Sequence, residues 1–192
     1  SKVTNMYRMF MGCSNLSNID VSHFDMSSVE NISGMFRACY GIRSLSIENW
    51  DVSKCIDMSY TFDSCVGLST ININSWDVSS CENMQNMFFN TPATSYDLSN
   101  WDISKVKNMR QMFTSAVNCK SITFNANAKL ENIEDMASTF ENCKALTTLT
   151  LPNLENTVHL KNTCKTFYDC ISLANLDVGN FDTSSVSDMS YM

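Results

Sequence analysis

The chain predicts an α/β repeat solenoid, with one short parallel β-strand and one helix in each coil of about 26 residues, and two periodicities predict it. Phe10, Phe36, Phe62, Phe88, Phe113, Phe140 and Phe167 follow one another at steps of 26, 26, 26, 25, 27 and 27 residues. Between anchors the apolar pattern switches from a spacing of three and four to a spacing of two. Self-similarity at such a period marks an array whose units bury their apolar faces only against their neighbours, so each residue is read by its column.

The helix comes first. Seven residues before each anchor stand Val3, Val29, Cys55, Cys81, Val106, Ile133 and Leu160, and four before stand Met6, Ile32, Met58, Met84, Met109, Met136 and Thr163. Three after stand Cys13, Cys39, Cys65, Thr91, Ala116, Cys143 and Cys170. Positions −7, −4, 0 and +3 form one stripe of a 3.6-residue period, which predicts about three turns of amphipathic helix per coil. The strand follows: the pairs Ile19/Val21, Leu45/Ile47, Ile71/Ile73, Tyr96/Leu98, Ile122/Phe124, Leu149/Leu151 and Leu176/Val178 each bracket a polar residue, as a short half-buried strand does. An aromatic, Phe24, Trp50, Trp76, Trp101 or Phe181, closes most coils.

Between strand and helix lies the phrase D-x-S, with Asp25, Asp51, Asp77, Asp102 and Asp182, and with Ser27, Ser53, Ser79 and Ser104 two residues on. Ser27 with Glu30, and Ser79 with Glu82, have capping-box spacing, so these columns are expected to form turns and helix N-caps. A ladder of calcium ions on the Asp column is the alternative, but one carboxylate per coil supplies few of the oxygens calcium needs.

The 13 methionines and nine cysteines fall mostly in inward columns, where they serve as core filler. There is no C-x-x-C, and His23 and His159 are far apart in the array, so neither a metal, a cofactor nor a catalytic set is expected. Helices packed 8–10 Å apart would hold neighbouring cysteines beyond disulfide reach. Free buried thiols are therefore expected, which ordinarily favours a reducing compartment.

Thirteen basic against 20 acidic residues, a net charge of −7, argue against nucleic acid, whose phosphates need a basic stripe. No apolar run approaches the ~20 residues of a membrane helix. Two prolines and five glycines leave no candidate linker, so residues 1–192 are expected to form a single solenoid of about seven repeats, an uncapped fragment of a longer protein.

The possible ligand face is the outward side of the strands: Asp20, Ser46, Asn72, Asp97, Thr123, Thr150 and Asp177, then Glu48, Asn74 and Asn125. It is small, polar and mildly acidic, suited to a carbohydrate, a basic partner or solvent alone. Tyr7, Tyr40, Tyr60, Phe89 and Tyr168 lie next to inward columns and mark a protein interface if several are exposed together.

The repeat phrase, seen as NISGMFRACYGIRSLSIENWDVSKC and NMQNMFFNTPATSYDLSNWDISKV, resembles the 26-residue repeat of BspA-like bacterial surface proteins in the leucine-rich-repeat superfamily, in the variant of unknown function found in mycoplasmas and lactic-acid bacteria. The resemblance spans essentially the whole chain. It implies a right-handed leucine-rich-repeat solenoid on a cell-surface or extracellular protein, where adhesion to a protein or carbohydrate is the suggested role and no catalytic residue carries over. The free thiols leave an intracellular location open. A structural spacer or an array associating end to end is the alternative.

Overall fold

The computed structural model describes residues 2–192. The columns pack as a solenoid core: five of the seven anchors, Phe36 through Phe140, are fully buried, and Phe10 and Phe167 pack against them. Rings of successive anchors lie 5.6, 6.1, 5.8, 5.4, 5.7 and 5.7 Å apart in a nearly parallel stack. A second stack runs from Phe24 through Trp50 to Trp76. Each indole N–H reaches back one coil, Trp50 to the Val21 carbonyl, Trp76 to Ile47 and Trp101 to Ile73, at 2.9–3.0 Å.

The helices are not there. Among the described residues the segments around each anchor are chains of tight turns, and the coil spacing gives one reason: helices need 8–10 Å between axes, whereas these coils sit less than 7 Å apart, as their anchor rings show. Backbone bonding gives the other. The N–H groups at −4, −2, 0 and +2 donate sideways to the next coil, as Ile32 to Asp57, Gly34 to Ser59, Phe36 to Thr61 and Ala38 to Asp63 at 2.8–3.0 Å. The intervening N–H groups close i→i−3 turns, as Met35 to Ile32 and Cys39 to Phe36. This alternation requires a left-handed residue at −2 and +2, and both columns have it: Tyr60, Asn86, Gln111, Ser138 and Lys165 in the first, Ala38, Ser64, Asn90, Ser115 and Asn142 in the second, with φ between 53° and 62°. Consecutive turns of three and four residues send −7, −4, 0 and +3 inward, so they reproduce a helical stripe without a helix.

Among the described residues, strands form in three coils rather than seven. β1 (Ser95–Leu98), β2 (Ser121–Phe124) and β3 (Thr148–Thr150) make one parallel sheet in the order β1-β2-β3, with Tyr96, Ile122 and Leu149 in register. The expected strands at 19–21, 45–47, 71–73 and 176–178 do not form ladders, although Val21, Ile47 and Ile73 are buried as their alternation requires. In the second, third and fourth coils the indole N–H takes the preceding inward carbonyl.

Every coil is instead stitched at one shared rung, five residues before the anchor. Asn5, Asn31, Asp57, Asn83, Asn108, Asp135, Asn162 and Asp188 form a continuous run of parallel bridges. Each side chain also accepts the N–H two residues on, at 2.7–3.1 Å.

Candidate functional site

The D-x-S phrase does not cap helices, since none begins there. The Asp carboxylate accepts the Ser N–H two residues on, at 2.9–3.2 Å for Asp25, Asp51, Asp77, Asp102 and Asp182. Ser27 and Ser53 add their hydroxyls at 2.6 Å. The Ser donates where a cap would accept, and the tight turn that follows is closed by Val29 onto Met26 or Cys81 onto Val78. With one oxygen spent in its own turn, each Asp has little left for a shared ion. Among the described residues no group of three His, Cys, Asp or Glu could hold a metal.

All nine cysteines are free thiols, for a reason other than helix spacing. Cys39, Cys65, Cys143 and Cys170 each donate S–H to the anchor carbonyl of the preceding coil, at 3.0–3.2 Å. Burial pushes Cys39 up to about 11 and Cys55 and Cys119 up to about 12, which removes the thiolate that redox chemistry would use.

The outward strand positions converge on depressions of one face. One, of about 510 Å³, lies between segment 69–75 and the free edge of β1, and holds Glu48, Asn72, Asn74 and Asp97. Asn74 Nδ2 donates to Asp97 Oδ2 at 3.1 Å across it, while Asn74 Oδ1, sheltered from solvent, accepts no hydrogen bond. A second depression of about 410 Å³ includes Thr150 and Asp177, and a third of about 290 Å³ includes Asp20 and Ser46. Thr123 and Asn125 line none of the three. Several of these side chains also hold local turns: Asp20, Asp97, Asn125 and Asp177 each accept the N–H two residues on, at 2.9–3.1 Å. The hydroxyl of Ser22, 2.6 Å from Asp20, is the chief reason that carboxyl titrates below the usual range.

The aromatic candidates scatter over several columns. Tyr7, Tyr40 and Tyr168 are exposed, Tyr60 and Phe89 half-buried. Arg8 stacks over Tyr7 at 4.7 Å, Arg37 over Tyr60 at 4.8 Å and Lys165 over Tyr168 at 5.6 Å. Only Phe89 and Tyr168 share a column. What the sequence reading missed is the Asn/Asp rung at −5 and the left-handed columns at −2 and +2. Their signal was present as an unbroken run of Asn or Asp before the methionine column, a residue pair that favours turns over helix interiors.

A family model described as "Mycoplasma protein of unknown function, DUF285" matches residues 1–44, 38–153 and 118–192. Among curated proteins none matches. Among solved structures, the T. pallidum leucine-rich repeat protein TpLRR superposes with a TM-score of 0.60 at 18% identity, over 90% of this chain and 72% of that one. A leucine-rich repeat protein from Bacteroides ovatus ATCC 8483 gives a TM-score of 0.41 at 15% identity, over 89% of this chain and 57% of its own. A leucine rich cell surface protein from Faecalibacterium prausnitzii A2-165 gives 0.40 at 14%, over 90% and 63%. The likeness to the treponemal protein shows a leucine-rich-repeat fold; the chain spans less than two thirds of the other two.

Proposed function

Starting from the premise that this chain belongs over its whole length to the DUF285 family, we propose that it is a non-enzymatic binding scaffold, displayed at a cell surface, whose strand face engages a protein or carbohydrate. The observation that carries this reading is the convergence of Glu48, Asn72, Asn74 and Asp97 on one groove of about 510 Å³, a volume within the ~300–1,000 Å³ of ordinary ligand sites. The Glu48 and Asp97 carboxylates make the groove acidic, so it favours a partner that brings donors or positive charge. The surface location is supported by the resemblance of the repeat phrase to bacterial surface proteins.

A spacer without a specific ligand, or an array associating end to end, is the second reading. It is favoured by the turn bonds of Asp20, Asp97, Asn125 and Asp177, which give those polar side chains a purely structural role. Binding of the purified chain to a glycan and extracellular-matrix array, with and without calcium, separates the two. Retention that Asn72→Arg together with Asp97→Arg abolishes supports the scaffold. A blank array on both conditions supports the spacer, and calcium-dependent retention would reinstate the Asp columns as cation sites.

A further inference from the structure

About half a coil away from the strands, on the turn side, a separate depression of about 340 Å³ is lined by Phe89, Gln111, Ser115, Glu141, Asn142 and Tyr168, among others. Its ends are aromatic. Phe89 and Tyr168 occupy the same column, +1, with Thr114 and Glu141 between them. They are separated by three coil steps, which the adjoining anchor rings set at 5.4, 5.7 and 5.7 Å. The remaining aromatic candidates stand in other columns.

The electrostatics differ from those of the strand groove. Both carboxylates of the trough are neutralised by lysines of a neighbouring coil, Glu141 by Lys165 at 3.5 Å and Asp169 by Lys144 at 3.4 Å. What remains between the rings is neutral: the Gln111 amide, the Ser115 hydroxyl, and Asn142, whose Nδ2 donates to Ser115 Oγ at 3.1 Å. The backbone keeps the floor rigid, since Gln111, Ser115 and Asn142 all sit in the left-handed region at φ 56–62° and the Gln111, Phe113 and Ser115 N–H groups are bonded to the next coil at 2.8–2.9 Å.

We propose that this trough is a second binding site, specific for a short neutral oligosaccharide. The rings of Phe89 and Tyr168, the latter braced by Tyr191 at 6.0 Å and by the Lys165 ammonium at 5.6 Å, supply apolar surface for the C–H faces of sugar rings. Amides and a hydroxyl between them can both donate and accept, as sugar hydroxyls do. Neutralised carboxylates remove the pull on a cation and the repulsion of an uncharged ligand, and a preformed floor lowers the ordering cost that weak ligands cannot meet. The site does not depend on the strand face: the strand groove draws on the second to fourth coils and the trough on the fourth to seventh, so a chain carrying both could hold two ligands at once.

The test is titration of the chain with neutral trisaccharides of glucose, galactose, mannose and N-acetylglucosamine, followed by calorimetry and by saturation-transfer NMR. The expected result is millimolar or tighter binding of at least one, weakened ten-fold or more by Tyr168→Ala and by Gln111→Ala, with Tyr40→Ala within two-fold of the parent. Melting temperatures read alongside verify that each variant is folded, and Tyr168→Phe, which keeps the ring, should bind like the parent. Absence of binding by all four sugars overturns the proposal. So does binding lost equally with Tyr40→Ala, or lost only with the strand-face pair. A basic or acidic peptide that binds the trough where no sugar does also overturns it. Because the strand-face variants are assayed separately, loss of this site leaves the scaffold reading standing, and the reverse.

Discussion

At the scale of single residues the coil is decided by what the backbone must do at a few positions. Gly67 is glycine because of close approach: a Cβ there would stand 2.6 Å from the Ile42 carbonyl oxygen and 2.9 Å from that of Tyr40, both backbone atoms. Gly67→Ala should therefore cost about 1–3 kcal/mol, the range for overpacking, read as a fall in melting temperature. Ala38 presents the opposite case. It is held at φ 59°, where a Cβ costs roughly 1–2 kcal/mol and glycine's extra chain entropy gives back only about 0.5–1 kcal/mol. Ala38→Gly should accordingly stabilise by about 0.5–1 kcal/mol. A destabilised Ala38→Gly would mean that the left-handed column is not what closes these turns.

At the scale of the element, the turn phrases tie stability to acid. Asp77 and Asp182 titrate below the ordinary carboxylate range, chiefly because the hydroxyl of the Ser two residues on, together with its backbone N–H, bonds the ionised form. A folded value depressed below the unfolded one contributes stability that is complete above the unfolded value, near 4, and is lost as pH falls through the folded one. The melting temperature should hold steady from neutral pH to about 5 and fall below about 4. Asp77→Asn keeps an acceptor for the Ser79 N–H and removes the charge, so the fall should become shallower; an unchanged slope would take the D-x-S turns out of the acid response.

The element scale is also where sequence and structure part. The inward columns, the aromatic stack and the strand alternation were legible from period alone, because burial in a stacked array repeats coil by coil. Helix and turn were not separable by that test. Turns closed at i→i−3 and broken by left-handed residues send the same −7, −4, 0 and +3 positions inward as a helix would. The distinction lay in other columns: Gly12 and Gly34, Asn86, Asn90 and Asn142 at −2 and +2, and Asn or Asp at every −5 position. The strand ladder was over-read for a different reason, since alternation reports burial of alternate side chains and not whether neighbouring backbones pair. Of the ligand-face residues, four meet in one groove, while Thr123 lies half-buried on β2 and Asn125 accepts the Asn127 N–H in the turn that follows it.

Across the whole molecule, the array protects its sulfur by position. Cys13 is exposed, Cys164 and Cys170 are half-buried, and the other six are buried, with Cys65, Cys81 and Cys143 pushed highest by loss of water around the thiolate. A thiol reagent at neutral pH should find Cys13 fast in the native chain and all nine only after denaturation; rapid native reaction at Cys65 or Cys143 would place those columns outside the core. Such protection lets free thiols persist outside a cell, because access limits oxidation as much as compartment does.

Both proposed binding faces require that each coil is a train of tight turns with left-handed residues, bonded sideways to its neighbours, instead of a helix laid against a strand. Far-ultraviolet circular dichroism of the purified chain tests that claim most directly. The account predicts a spectrum without the paired minima of an α-helix, together with slow hydrogen exchange at the sideways-bonded amides of Phe36, Phe62, Phe88 and Phe113. A strong helical spectrum that melts with the fold would contradict it, and would put a helix where the trough and its aromatic walls are placed.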